Sequence, residues 1–208
     1  KDVVVEGNQQ LQSEGLVRWT SGNVSARDAD SGLMVIKPSG VAFDDLRRDV
    51  MVVMNLDGEV VEGNLKPSSD AWTHLAIYRE RDDVFGVTHT HSNYATAWAA
   101  TAQPLPCALT AMADVFGGDV PLGDFCLIGS EAIGKEVVRK IGCSPAILMQ
   151  NHGVFTIGKS VHDAVKAAVM VEDAAQTLAI AKGVGELKPI PAEEVAKLND
   201  RYQNEYGQ

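Results

Sequence analysis

Apolar and polar residues change their spacing several times along the chain. Over residues 2–17 the apolar positions follow a helical period, with Gly15 placed to stop it. The pattern then turns to short apolar runs. "NVSAR" and "LMVIK" predict a pair of strands around the turn-forming "DADSG", and "MVVMNL" with "EVVEG" predict a second pair around Asp57-Gly58, a strong hairpin signal. Helical spacing returns near Ser69-Asp70 and runs through "AWTHLAIYRER"; the strand "VFGVTHTH" and a helix through "YATAWAA" follow. Residues 102–124, rich in Gly, Pro and small side chains, predict loops and short strands. "SEAIGKEVVRKIG" predicts a helix with Ser130 as N-cap and Gly142 beyond its end, and "PAILMQN" and "GVFTIG" predict strands flanking His152-Gly153. A long alanine-rich helix over residues 161–182 and a last helix from Pro191 complete the series. Without repeats or linkers, the 208 residues fit one domain, 1–208. The order implies an α/β fold of the α+β type: three layers, α/β/α, with a central, largely antiparallel sheet flanked by helices.

Composition narrows the function. With 45% apolar and 22% charged residues the chain is an ordinary globular one, and no apolar run is long enough to span a bilayer. No basic-then-apolar leader is visible, so a cytoplasmic location is expected. A net charge of −10 argues against nucleic acid or an anionic membrane surface as partner, since both require a basic footprint. An anionic small substrate would need a local cradle of N–H groups and one or two cations. The cysteines, Cys107, Cys126 and Cys143, are odd in number and lack CxxC spacing, which suits reduced, packed thiols.

The candidate chemistry begins with "HTH". Side chains two apart on a strand share a face, so His89 and His91 are either a polar pair at a strand end or half of a metal site. A catalytic zinc needs about three protein ligands and an open position. Of the remaining histidines, His152 in "MQNHGVF" is the best third ligand, because the following Gly lets the backbone turn tightly. His74, four residues after Asp70 on one helix, is expected in the core or behind the site, and His162 faces solvent. Three turns, "TSGNVS", "KPSG" and "KPSSD", offer hydroxyls, backbone N–H groups and lysines, the third entering a helix. Each alone is ordinary turn chemistry; together they suit a phosphate. No Walker or dinucleotide glycine pattern occurs.

Taken in order, "SGNVS", "KPSG", "KPSSD", "HTHSNYATAW" and "NHGVFTIG" make the chain resemble the class II aldolase and adducin-head family over nearly its whole length. The resemblance implies a divalent metal, usually Zn2+ with Mn2+ or Co2+ as alternatives, on His89, His91 and His152. It implies a substrate phosphate near Gly22, Asn23, Ser39, Gly40, Ser68 and Ser69, with Lys37 as counter-charge. Family aldolases carry Glu after the paired serines and epimerases carry Asp as a further metal ligand; here the residue is Asp70. "TAMADVFGG" and the terminal "EYGQ" resemble epimerase segments, which places catalytic acid/base roles on Asp114 and Tyr206. The loop after Asp114 is shorter than in the epimerases, and no His follows His162. The activity implied is interconversion of L-ribulose 5-phosphate and D-xylulose 5-phosphate by retro-aldol cleavage and re-addition of an enediolate to glycolaldehyde phosphate. Proton transfers on both faces of C4 call for two opposed groups. A sugar-phosphate aldolase of the L-fuculose-1-phosphate type and an adducin-like interaction domain are the alternatives. The resemblance also implies a homotetramer with sites at subunit interfaces.

Overall fold

The computed structural model describes residues 1–206. The chain runs from helix α1 (Asp2–Ser13) into strands β1 (Asn23–Arg27), β2 (Met34–Ile36), β3 (Val52–Met54) and β4 (Val60–Glu62). Helix α2 (Ala71–Glu80), strand β5 (Gly86–Thr90), helices α3 (Asn93–Ala99) and α4 (Thr110–Phe116) and strand β6 (Leu122–Gly123) follow. Helix α5 (Ala132–Ile141), strands β7 (Ala146–Met149) and β8 (Gly153–Gly158), and helices α6 (Val161–Val184) and α7 (Ala192–Arg201) complete the order, with a π turn over Tyr202–Tyr206.

All eight strands join one sheet in the order β4-β3-β2-β1-β5-β8-β7-β6. Every pairing is antiparallel except β6 with β7, so the largely antiparallel sheet is as expected. Alternation on β7 shows how the layers form. Ile147 and Met149 join Leu75 and Ile77 of α2 and Ile133 and Val137 of α5 on one face. Ala146 and Leu148 point the other way, to Ala95 and Trp98 of α3, Met112 and Phe116 of α4 and Val171 and Ala174 of α6. A third cluster seats Val4 and Leu11 of α1 against Val161 and Val165 of α6 and Val24 of β1. The helices thus cover both faces, which is the α/β/α sandwich.

Several local expectations need correction. The first helix stops at Ser13, and Gly15, at φ 71°, turns the chain so that Leu16 and Val17 are buried in the irregular segment before β1. Residues 102–124 are not all loop. They contain α4, whose buried Met112, Ala113 and Phe116 keep helical spacing and whose C-cap is Gly117 in the left-handed region. Composition hid a short helix whose inward face is what stabilises it. Ser130 lies one residue before the N-cap Glu131, and its hydroxyl accepts from the Ala132 N–H. The thiols are not uniformly packed: Cys107 is buried, Cys126 half-buried and Cys143 exposed. Among the described residues no helix is long and apolar enough to cross a membrane.

Candidate metal centre and phosphate cradle

Strand β5 lies in the middle of the sheet, between β1 and β8. His89 sits directly opposite Phe155 of β8 and stacks on it, ring centroids 4.1 Å apart at 11°. Its Nδ1–H donates to the Val154 carbonyl at 2.8 Å. Because a carbonyl only accepts, that bond sets the tautomer and leaves Nε2 with a free lone pair. His91, one residue past the strand, brings its Nε2 to 2.8 Å from the His89 Nε2. His152 arrives from the β7–β8 turn, where Asn151 takes φ 58°, and its ring lies 4.8 Å from His89 and 5.2 Å from His91. One ligand atom from each of the three lies within 4.8 Å of the others.

Gly153 explains why the turn can come so close. A Cβ there would stand 2.5 Å from the Thr90 carbonyl oxygen, 3.0 Å from the His91 ring and 3.4 Å from that of His89. The requirement is space, not unusual φ, so the sequence-based reason for this glycine was incomplete. Gly22 has a similar role: at φ 85° it passes where a Cβ would meet the Val17 side chain and the His89 carbonyl.

The donor set fits a divalent cation. Burial pushes the His89 imidazole down to about 3, against the opposing pull of the Asp70 carboxylate. His91 and His152 are also lowered, chiefly by burial, so all three are neutral ligands near pH 7. The His152 Nδ1 is buried and has no hydrogen-bond partner among the described residues. Burial works to raise Asp70, yet the charge that His89 or His74 carries when protonated, with the Asn23 amide, holds it below the usual carboxylate range. An anion in this setting, beside neutral imidazoles, calls for a cation. The Asp70 carboxylate is not among the atoms that share the 4.8 Å cluster; its Oδ2 accepts from the Asn23 Nδ2 at 2.7 Å.

Asn23 also ties this carboxylate to the phosphate-type turns. Its Nδ2 donates to Ser68 Oγ at 3.0 Å, and its Oδ1 is buried without a partner. The two "KPS" turns face each other: the Ser39 N–H donates to the Lys66 carbonyl at 2.9 Å and the Ser68 N–H to the Lys37 carbonyl at 3.0 Å. Ser39, Gly40 and Ser69 are exposed on the rim of this double turn. Beneath it Lys37 is buried, its Nζ donating to the Thr20 carbonyl at 3.2 Å and lying 5.0 Å from the Phe43 ring centroid. Burial lowers its ammonium to about 8, with Asp70 opposing. The seven predicted phosphate residues thus come from neighbouring turns, with Lys37 as the buried cation.

His74 is fully buried on α2, as expected for a residue behind the site. Its Nδ1 is 2.7 Å from Ser25 Oγ, which is 2.8 Å from the Tyr78 hydroxyl. His162 is solvent-facing, with 77% of its side chain exposed. Asp114 belongs to α4 and Tyr206 to the turn that follows α7. The Tyr206 hydroxyl donates to Asp114 Oδ2 at 3.1 Å, so within one chain the two are hydrogen-bonded partners and not the opposed pair that was expected. Phe155, the platform under His89, went unread in the sequence, because only strand pairing reveals it.

A three-layer α/β/α sandwich with three histidines converging at the end of its central strand, able to hold a metal ion, is the arrangement of a class II aldolase-type protein. The profile of the class II aldolase and adducin N-terminal domain matches residues 2–179, and the chain belongs to that family. It is 44% identical over 202 residues to the L-ribulose-5-phosphate 4-epimerase UlaF of Salmonella paratyphi B, covering 91% of this chain and 89% of that protein. The UlaF protein of Salmonella typhi matches to the same extent, 44% over 202 residues. Among solved structures, an L-fuculose 1-phosphate aldolase superposes with a TM-score of 0.92 at 31% identity, over 96% of this chain and 94% of that one. A sugar-phosphate aldolase from Thermotoga maritima shares the fold, with a TM-score of 0.74 at 21% identity over 90% and 97% of the two chains.

Proposed function

We propose that this protein is a divalent-metal-dependent 4-epimerase interconverting L-ribulose 5-phosphate and D-xylulose 5-phosphate. The observation that carries the reading is the bridge made by Asn23, which joins Ser68 of the phosphate-type turn to Asp70 beside the histidines. A substrate held by its phosphate at one end and by its carbonyl end at the other is what this adjacency suits. The 44% identity to proteins named as this epimerase selects the reaction among the family's chemistries.

His89, His91 and His152, with Asp70 closing toward them, would hold the ion. When bound, zinc, or else manganese or cobalt, supplies Lewis-acid polarisation of the substrate's ketone oxygen and C3 hydroxyl. The C4 stereocentre carries no acidic proton, so inversion requires breaking and remaking the C3–C4 bond. The rim of Ser39, Gly40 and Ser69, the Gly22-Asn23 backbone and Lys37 retain the phosphorylated fragment while its aldehyde turns over, using binding energy remote from the reacting carbon. Asp114 and Tyr206 take the C4 hydroxyl proton on cleavage and return it on re-closure. Hydrogen-bonded to each other, the two stand on one side of a fragment and not on opposite faces, and this reading includes a homotetramer in which the pair serves the site of the next copy.

A sugar-phosphate aldolase is the second reading, favoured by the close superposition on L-fuculose 1-phosphate aldolase. Incubating the metal-loaded protein with L-ribulose 5-phosphate, while following D-xylulose 5-phosphate and free glycolaldehyde phosphate, separates the two. Xylulose phosphate without fragment accumulation is expected. Accumulating fragment, or inert L-ribulose 5-phosphate with cleavage of L-fuculose 1-phosphate, overturns the epimerase.

A further inference from the structure

Helix α3 begins two residues after His91, and the start of any helix leaves backbone N–H groups without intrahelical partners. Ser92 occupies its N-cap position but makes no side-chain capping bond, and its hydroxyl is buried without a partner among the described residues. The cap comes from a different helix. Glu172, on α6, accepts from the Tyr94 N–H through Oε1 at 2.9 Å and from the Ala95 N–H through Oε2 at 2.8 Å. A charged acceptor shared by two N–H groups at a helix start is among the stronger hydrogen-bond arrangements available, and the helix dipole favours it.

The far end of α3 also meets the centre. The Ala99 carbonyl accepts from the Asn151 N–H at 3.4 Å, one residue before His152. Helix α3 is therefore a strut that begins beside one histidine and ends at the turn bearing another. Its buried Ala95 and Trp98 share a core with Val171 and Ala174 of α6, so Glu172 reaches it from an element already packed along its side.

We propose that Glu172 is a positioning residue of the metal centre: by clamping the first turn of α3 to α6 it sets where His91 stands relative to His89 and His152. This rests on reading the three histidines as a divalent-metal site. Glu172 acts through backbone N–H groups, and its loss displaces a ligand without removing one.

The test loads the parent protein and the E172A, E172Q and S160A variants with Co2+, recording the visible d–d band and the affinities for cobalt and zinc against a competing chelator. Ser160 is the matched control, because it caps α6 through its own hydroxyl and the Asp163 N–H, so its loss destabilises a helix start elsewhere. E172A is expected to weaken metal binding about tenfold or more and to change the cobalt band, the scale seen when the support of a ligand is removed. E172Q, which keeps one acceptor oxygen, is expected between E172A and the parent, and decides the matter should E172A not fold. S160A should melt lower yet bind cobalt like the parent. Glu172 variants indistinguishable from a cobalt-binding parent, or an equal loss in S160A, overturn the inference. A parent with no cobalt band overturns the metal reading itself and this inference with it.

Discussion

Replacing Gly153 with Ala tests the geometry of the centre at its tightest point. The new Cβ would lie 2.5 Å from the Thr90 carbonyl oxygen and 3.0 Å from the His91 Cδ2. A carbon and a carbonyl oxygen in contact settle at about 3.3 Å or more, so one side must retreat by roughly 0.8 Å. Thr90 is held in the β5–β8 ladder opposite Val154, whereas the turn bearing His152 is tied to α3 only by the longer, 3.4 Å bond from the Asn151 N–H to the Ala99 carbonyl, so the turn is the side expected to yield. Metal–ligand distances tolerate only about 0.2 Å, so a displacement of this size separates His152 from the other two. Overpacking of this kind costs about 1–3 kcal/mol, and at this chain length each kcal/mol lowers Tm by about 2–4 °C. G153A should therefore melt roughly 2–12 °C below the parent and bind zinc about tenfold to a hundredfold more weakly. Calorimetric melting of the metal-free protein and zinc titration against a chelator measure the two effects. G183A, a helical glycine on α6 with open space around its Cβ position, is the control expected to leave both intact. A G153A protein with parental Tm and zinc affinity within twofold of the parent would falsify the close-approach argument.

Further predictions concern the remaining groups. Y206F and D114N should lower epimerisation by about a hundredfold or more while zinc content, read by elemental analysis, stays parental. K37M should raise KM for the sugar phosphate more than it lowers kcat. Because burial brings the Lys37 ammonium down to about 8, substrate binding in the parent should weaken as pH rises through that value, a loss absent from K37M. His74 and His89, lowered to about 4 and about 3 mainly by burial, stay neutral when folded but take up protons when unfolded below about 6.5. Their contribution is thus present above about pH 6.5 and lost as pH falls toward the folded values. In metal-free protein these two groups should cost roughly 3 kcal/mol between pH 8 and pH 5.5, with His91 and His152, lowered in the same direction, adding to the loss; denaturant melts read the total, and H74Q should remove about 1.5 kcal/mol of it.

How much of this was legible in the chain depended on sequence distance. His89 and His91 declare themselves because a strand's period of two places them on one face, and β5 does run through Gly86–Thr90. The "KPSG" and "KPSSD" turns are individually commonplace, and their mutual hydrogen bonds, which make them one rim, join segments some thirty residues apart that no local pattern connects. Helix α4 was hidden because small residues carry little periodic contrast, and only its burial against α6 and α7 reveals which face matters. Glu172 gave no signal at all: it lies on a long alanine-rich helix, where an acidic residue reads as solvated surface, and its partners are backbone N–H groups distant in the chain.

The same contrast bears on how the site is assembled. The candidate metal centre is built around three adjacent strands, β1, β5 and β8, whose pairing sets His89 opposite Asn23 on one side and Phe155 on the other, while His91, His152 and Asp70 sit just beyond the ends of the neighbouring elements. A sheet is stiff across its hydrogen bonds, so ligands that must agree to a few tenths of an ångström are well placed there. The acid/base candidates are on different ground. Tyr206 sits in a terminal π turn beyond α7, half-exposed, and one hydrogen bond joins it to Asp114 on α4. Proton donors and acceptors must attend a fragment that rotates between two faces, and a tail resting on a separate layer can adjust where a sheet cannot. On the proposed function, in which the pair serves the site of the next copy, assembly of copies would be the step that brings the two halves together. An obligate dependence of epimerisation, but not of zinc binding, on protein concentration in the range where the assembly dissociates is the expected consequence, measured by paired sedimentation and activity dilution series. Full specific activity in a dilute monomer would show instead that Asp114 and Tyr206 serve their own chain or take no part.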